Sequence, residues 1–130
     1  MQLKTKYGAC HVVFLDEVIE PVQFKEIVAQ MDNNDDFTDF AWTTYLRISP
    51  LYDEDLIAVA RKNGFEVVNF GVETFNERLS RFIRKGINLG DLKNNLRMFH
   101  EHGIQVDINL IAGLPSQTED ECLQDMENLL

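Results

Sequence analysis

Four places in the sequence gather side chains able to bind a charged ligand, and each closes a short apolar run. Asp16-Glu17 follow Val12 to Leu15. Arg47 and Ser49-Pro50 close the run that begins at Phe40. Gly71-Val72-Glu73-Thr74 end the run from Val67, and Asn109 leads into Gly113-Leu114-Pro115-Ser116-Gln117-Thr118. Carboxylates accept from an ammonium or from hydroxyls, a guanidinium grips a carboxylate as a two-pronged fork, and an amide both donates and accepts. Brought to one rim, this set suits a zwitterionic ligand bearing an ammonium, a carboxylate and a ribose-like diol. Each position also has an ordinary reading. Acidic residues at a strand-to-helix junction cap the next helix. Gly71 and Gly113 require backbone room, for a ligand's approach or for a tight turn, and Leu114-Pro115 can be a turn and nothing more.

The elements that would carry these residues are of two kinds. Val12 to Leu15, Phe40 to Ile48, Val67 to Val72 and Ile104 to Ile111 are short, rich in β-branched or aromatic residues and bounded by turn formers, as buried strands are. Between them the spacing predicts helices over Pro21 to Met31, Leu51 to Lys62, Asn76 to Arg84 and Asp91 to His102. Arg61-Lys62-Asn63-Gly64 and His100-Glu101-His102-Gly103 each place a glycine where a left-handed helix terminus is needed before the next strand. A last helix opens at Thr118-Glu119-Asp120-Glu121 and continues through Cys122, Met126 and Leu129-Leu130. Strands spaced by helical crossovers predict a parallel α/β sheet. Four such units make half a barrel or a small doubly wound sheet, and both place chemistry at the carboxyl ends of the strands.

Composition narrows the function. Twelve Lys and Arg face 22 Asp and Glu, a formal net charge of −10 spread over both halves of the 130 residues. Long-range attraction to phosphate backbones is therefore not expected. Arg78, Arg81, Arg84 and Lys85 recur at helical spacing, but within so acidic a chain they read as a solvated face. Cys10 and Cys122 lie too far apart for a disulfide framework or a self-contained zinc site. No apolar run is long enough for a signal peptide core or a membrane span, so a cytoplasmic location is expected. His11, His100 and His102 form no metal-binding framework, and Asp32 to Asp36 lack the glycine and terminal glutamate of a calcium loop.

Read together, Phe14-Leu15-Asp16-Glu17, Leu46-Arg47, Phe70-Gly71-Val72-Glu73-Thr74-Phe75-Asn76, Lys85-Gly86, and Gly103-Ile104 through Gly113-Leu114-Pro115-Ser116-Gln117-Thr118 resemble the radical S-adenosylmethionine superfamily. The nearest look is to the coproporphyrinogen-oxidase-like and cobalamin-domain Fe–S branches. The resemblance implies a partial (β/α) TIM-like barrel, with this chain supplying strands two to five of six as one domain over residues 1–130, excised from a longer protein. It implies that Arg47 and Asp16-Glu17 face the methionyl end of S-adenosylmethionine and that Glu73 and Asn109 face its ribose. Lys85 takes a basic position near the ligand, and Gly113 to Pro115 form the turn after strand five. The family's [4Fe–4S] cluster is held by C-x3-C-x2-C, a triplet this chain lacks. The cluster ligands, and in one branch a cobalamin domain, are then expected upstream in the parent, and the segment alone is expected to be inactive.

Two other readings stay open at this stage. One is a cluster-free binding module that kept the barrel fold for partner contacts, and the other an unrelated (β/α) enzyme for a small anionic substrate. If the chain is part of a barrel, its outer strands have unpaired edges, and self-association is expected.

Overall fold

The computed structural model describes residues 2–15, 18–33 and 40–128. Asp16, Glu17, Leu129 and Leu130 lie outside the described residues, as does most of the acidic stretch after Asp32. The elements run α1 (Gln2–Tyr7), β1 (His11–Val13), α2 (Pro21–Asp32), β2 (Ala41–Leu46), α3 (Glu54–Lys62), β3 (Phe65–Glu73), α4 (Glu77–Phe82), α5 (Leu89–Glu101), β4 (Gln105–Leu110) and α6 (Glu119–Glu127). Short α1 had no signal in the apolar pattern. Helix α5 starts earlier than expected because Asn88, not Asp91, caps it: the Asn88 side chain accepts from the backbone N–H of Gly90 and Asp91. At the ends of α3 and α5, Gly64 and Gly103 take the anticipated left-handed conformation, with φ of 84° and 70°.

All four strands are parallel and lie in the order β1-β2-β3-β4. Because spatial order follows chain order, the sheet has no point at which the winding reverses. A doubly wound sheet requires that reversal, whereas one sense of crossover is how a barrel wall grows. This separates the two architectures the sequence left open.

One face of the wall holds the core. Trp42, Leu46, Val68, Phe70 and Val72 point from the strands toward Phe24 and Val28 of α2, Ile57 and Ala60 of α3, and Leu92 and Phe99 of α5. Trp42 stacks on Phe65 at 4.2 Å, and Phe99 meets Phe65, Phe70 and Tyr52 edge to face. Ring pairs of this kind add about 0.5–1.5 kcal/mol each beyond their buried area. The period-two alternation sends Thr43 and Tyr45, Val67, Asn69 and Gly71, and Gln105, Asp107 and Asn109 to the other face. That interior face is largely polar toward the carboxyl ends of the strands, unlike the branched apolar layers of a filled barrel.

Two register shifts shape β3. The first, opposite Trp42 and Thr43, makes Glu66 the extra residue, so Phe65 and Val68 both reach the helix side. The second lies between Gly71 and Glu73, at the functional end. A bulge there re-aims the side chain that follows it.

Candidate functional site

The β2 exit carries Arg47, and two buried groups fasten it. The Tyr52 hydroxyl donates to the Arg47 carbonyl at 2.9 Å from within the aromatic cluster. Burial raises the Tyr52 phenol well above its ordinary pKa, so it remains a donor. Asn95 of α5, only 2% exposed, donates to the Ser49 carbonyl and accepts from the Ser49 N–H, both at 2.9 Å. The guanidinium itself lies in the open and meets Glu20 at 3.0 Å. An ion pair this exposed is worth about 0–1 kcal/mol, so a ligand carboxylate can displace Glu20 at little cost.

Glu73 ends β3 in a left-handed conformation, φ 67°, which a non-glycine residue occupies only where its surroundings hold it. Its carbonyl accepts from the Ile111 N–H at 2.9 Å, and its carboxylate meets the Lys85 ammonium at 3.0 Å. Lys85 is presented by a loop whose neighbours Arg84 and Gly86 are both left-handed, φ 56° and 68°. The Glu73–Lys85 pair lies directly over Gly71. A methyl group placed on Gly71 would sit 3.0 Å from Glu73 Oε1 and 3.1 Å from Lys85 Nζ. Gly71 is not left-handed, so of the two expected reasons for a glycine here only the spatial one holds, and the left-handed residue of this exit is Glu73.

Arg47, Glu20, Gly71, Arg84 and Lys85 line one cleft of about 210 Å³, with an apolar wall of Val18, Leu46, Ile48, Ile83 and Ile87. Asn109 pairs in register with Gly71 on the neighbouring strand and is exposed on the same interior face. Gly113 opens the turn after β4 with φ 85°. Arg47, Gly71 and Lys85 thus share one cleft, with Glu73 paired to Lys85 and Asn109 in register with Gly71; Gly113, in the turn after β4, is not among the residues lining that cleft. This rim can take a carboxylate at the cationic groups, and hydroxyls or an ammonium at Glu73 and Asn109. The basic recurrence resolves into separate pairs: Arg78 with Glu121, Arg81 with Glu77 and Lys85 with Glu73. Arg78, with the Thr118 N–H assisting, pulls the Glu121 carboxyl down to about 2.

Glu20, Tyr52, Asn95 and Asp125 touch the strand exits, and the pattern of apolar runs passed over them. Asn95 left a readable trace, a polar residue between Leu92 and Phe99 on a buried helical stripe. Asp125 left none. In α6 Met126 is 51% exposed, and the buried residue of the helix is Asp125 at 5%. It accepts from the Thr74 hydroxyl and the Phe75 N–H beside the β3 exit.

Residues 14–129 match the sequence model of the radical SAM superfamily. The chain belongs to that superfamily. Among solved structures, the chain is similar to the radical S-adenosylmethionine methyltransferase TsrM from Kitasatospora setae, a structure with cobalamin and a [4Fe–4S] cluster bound. The TM-score is 0.77 at 19% identity, over 99% of this chain and 27% of that one. The coproporphyrinogen III oxidase HemN from Escherichia coli, a radical SAM enzyme, superposes with a TM-score of 0.65 at 19% identity, over 92% and 29% of the two chains. At such identities these likenesses speak to the fold, a partial radical SAM barrel. Curated relatives include an uncharacterized methyltransferase, PH0819, of Pyrococcus horikoshii, 24% identical over 92% of this chain, and Protein YhcC of Escherichia coli, 27% identical over 58%. The chain spans about a quarter of the length of these relatives.

Radical SAM proteins use S-adenosylmethionine and a [4Fe–4S] cluster, and the two fit this chain differently. The rim supplies groups of the right charge for S-adenosylmethionine. The cluster needs three thiolates, whereas the sequence holds only Cys10 and Cys122. Among the described residues no three His, Cys, Asp or Glu side chains gather as a metal site. Two cysteines cannot supply the three thiolates that the cluster needs. No helix among the described residues is long and apolar enough to cross a membrane.

Proposed function

We propose that this chain is the part of a radical SAM catalytic core that lines the S-adenosylmethionine site, in an enzyme whose cluster ligands come from beyond these 130 residues. The observation that carries the reading is the cleft that Arg47, Gly71 and Lys85 line together, with Glu73 paired to Lys85 over Gly71. A carboxylate set to accept from ribose hydroxyls stands next to cations suited to a methionyl carboxylate. Asn109 adds a second group for the ribose, and the family resemblance assigns the ammonium side to Asp16-Glu17, which lie outside the described residues. Lys85 occupies Glu73 until the ligand's hydroxyls and carboxylate separate the two charges. The complete enzyme, in this reading, cleaves S-adenosylmethionine reductively. Its substrate is read by the barrel interior and by elements beyond this chain.

The test is titration of S-adenosylmethionine into the chain, followed by backbone amide NMR. Shifts are expected at Arg47, Gly71, Glu73, Lys85 and Asn109, with affinity weaker than about 1 μM because the methionyl end lacks its metal anchor. Replacing Glu73 by Gln should weaken binding about tenfold, the value of one charge-assisted hydrogen bond. Sub-micromolar binding, or shifts confined to other surfaces, would overturn the assignment.

A further inference from the structure

Glu73 and the Gly113 turn belong to different strands, and the hydrogen bonds between them form a continuous chain through α6. Asp125 Oδ2 accepts from the Thr74 hydroxyl at 2.6 Å, and Oδ1 accepts from the Phe75 N–H at 2.7 Å. The Gln117 side-chain amide donates to Asp125 Oδ2 at 3.2 Å. The amide oxygen of Gln117 turns the other way and accepts from the N–H of Gly113 at 2.7 Å and of Leu114 at 3.1 Å. One buried carboxylate and one side-chain amide thus join the residues just after Glu73 to the residues that open the turn after β4.

We propose that Asp125 is a positioning residue. It holds the β3 exit and the Gly113–Leu114 turn in one frame, so that Glu73 and the turn meet the same ligand. This rests on the S-adenosylmethionine reading above. The argument is one of chemistry and placement. A helix needs no buried charge to dock, and an apolar residue at position 125 would be the inexpensive choice. The carboxylate is retained where three donors converge on it, all from the two strand-exit segments. Docking of α6 has its own outer tie: Arg78 bonds both Glu121 oxygens, at 2.8 and 2.7 Å to Oε1 and Oε2, and also the Ser116 hydroxyl and carbonyl. The two ties can therefore be cut one at a time.

The experiment compares the unaltered chain with Asp125→Asn, Gln117→Ala, the double variant and Arg78→Gln. Two readouts are taken: amide hydrogen exchange without ligand, and S-adenosylmethionine affinity by NMR titration. Asp125→Asn keeps the shape but removes one acceptor oxygen. It should speed exchange at Gly113 and Leu114 at least tenfold and weaken S-adenosylmethionine about tenfold. The double variant should be no worse than Gln117→Ala, because the relay runs through that amide. Arg78→Gln should leave Gly113 and Leu114 protected. Unchanged exchange at those two amides in Asp125→Asn, or equal opening in Arg78→Gln, would overturn the proposal in favour of simple helix docking. Absence of any binding by the unaltered chain would instead overturn the ligand reading, while the exchange arm still decides the coupling. Should Asp125→Asn not fold, Thr74→Val removes the shortest of the three bonds, and the same two amides decide.

Discussion

Two glycines of β3 and its approach offer a direct test of what the site requires, because one is needed for conformation and the other for space. Gly64 sits at φ 84° with its would-be methyl colliding with the Phe40 carbonyl oxygen, and its own carbonyl accepts from the Trp42 N–H at 2.8 Å. Replacing it by Ala imposes about 1–2 kcal/mol for the left-handed backbone. The backbone collision adds about 1–3 kcal/mol, for a total loss of roughly 2–5 kcal/mol. Gly71 has no such φ, and its would-be methyl meets only the far ends of Glu73 and Lys85. In a strand, Ala is favoured over Gly by about 0.5–1 kcal/mol. That gain offsets the disturbance of a partly buried ion pair, its side chains 34% and 19% exposed, worth about 1 kcal/mol. Gly71→Ala should therefore leave stability within about 1 kcal/mol of the unaltered chain. Gly71→Val, whose branches fill the space of the pair, should weaken S-adenosylmethionine by about tenfold or more through the loss of a charge-assisted bond. Urea unfolding followed by the fluorescence of Trp42, the sole tryptophan and a buried one, measures the first quantity, and NMR titration the second. A Gly71→Ala loss as large as that of Gly64→Ala, or undiminished binding by Gly71→Val, would refute the claim that Gly71 exists to seat the Glu73–Lys85 pair.

Two further outcomes follow from the same contacts. Thr44 is fully buried and its hydroxyl has no hydrogen-bond partner; Thr44→Val should raise unfolding stability by about 1 kcal/mol, since the isostere removes an unsatisfied polar group, and urea unfolding checks it. Strands β1 and β4 are the outer strands of the sheet, and we expect their free edges to drive self-association of the isolated chain, read by sedimentation velocity, with a monomer at all concentrations as the contrary result.

The alternation of strand and helix, the glycine stops after α3 and α5, the cap of α6 at Thr118 and the placement of polar residues at strand ends were all legible along the chain. These depend on local spacing and on turn and cap chemistry, which act over a few residues. The motif after β3 was legible for the same reason, as was the likeness it carries to radical SAM proteins. Only the tertiary structure decided how those residues are used. Arg47 finds Glu20 across 27 positions, Asn95 clasps Ser49 across 46, and Asp125 reaches Thr74 across 51. No periodicity encodes such pairings, because they follow from strand register and from which helix packs over which strand. The left-handed Glu73 belongs to the same class: nothing in Gly71-Val72-Glu73 announces it, and it arises where the bulge against β4, the Ile111 bond and Lys85 act on one residue together. The sequence by itself determined a parallel β/α wall with charged groups at its carboxyl rim. The packing of that wall decided which charges meet, which are buried, and which stand open to a ligand.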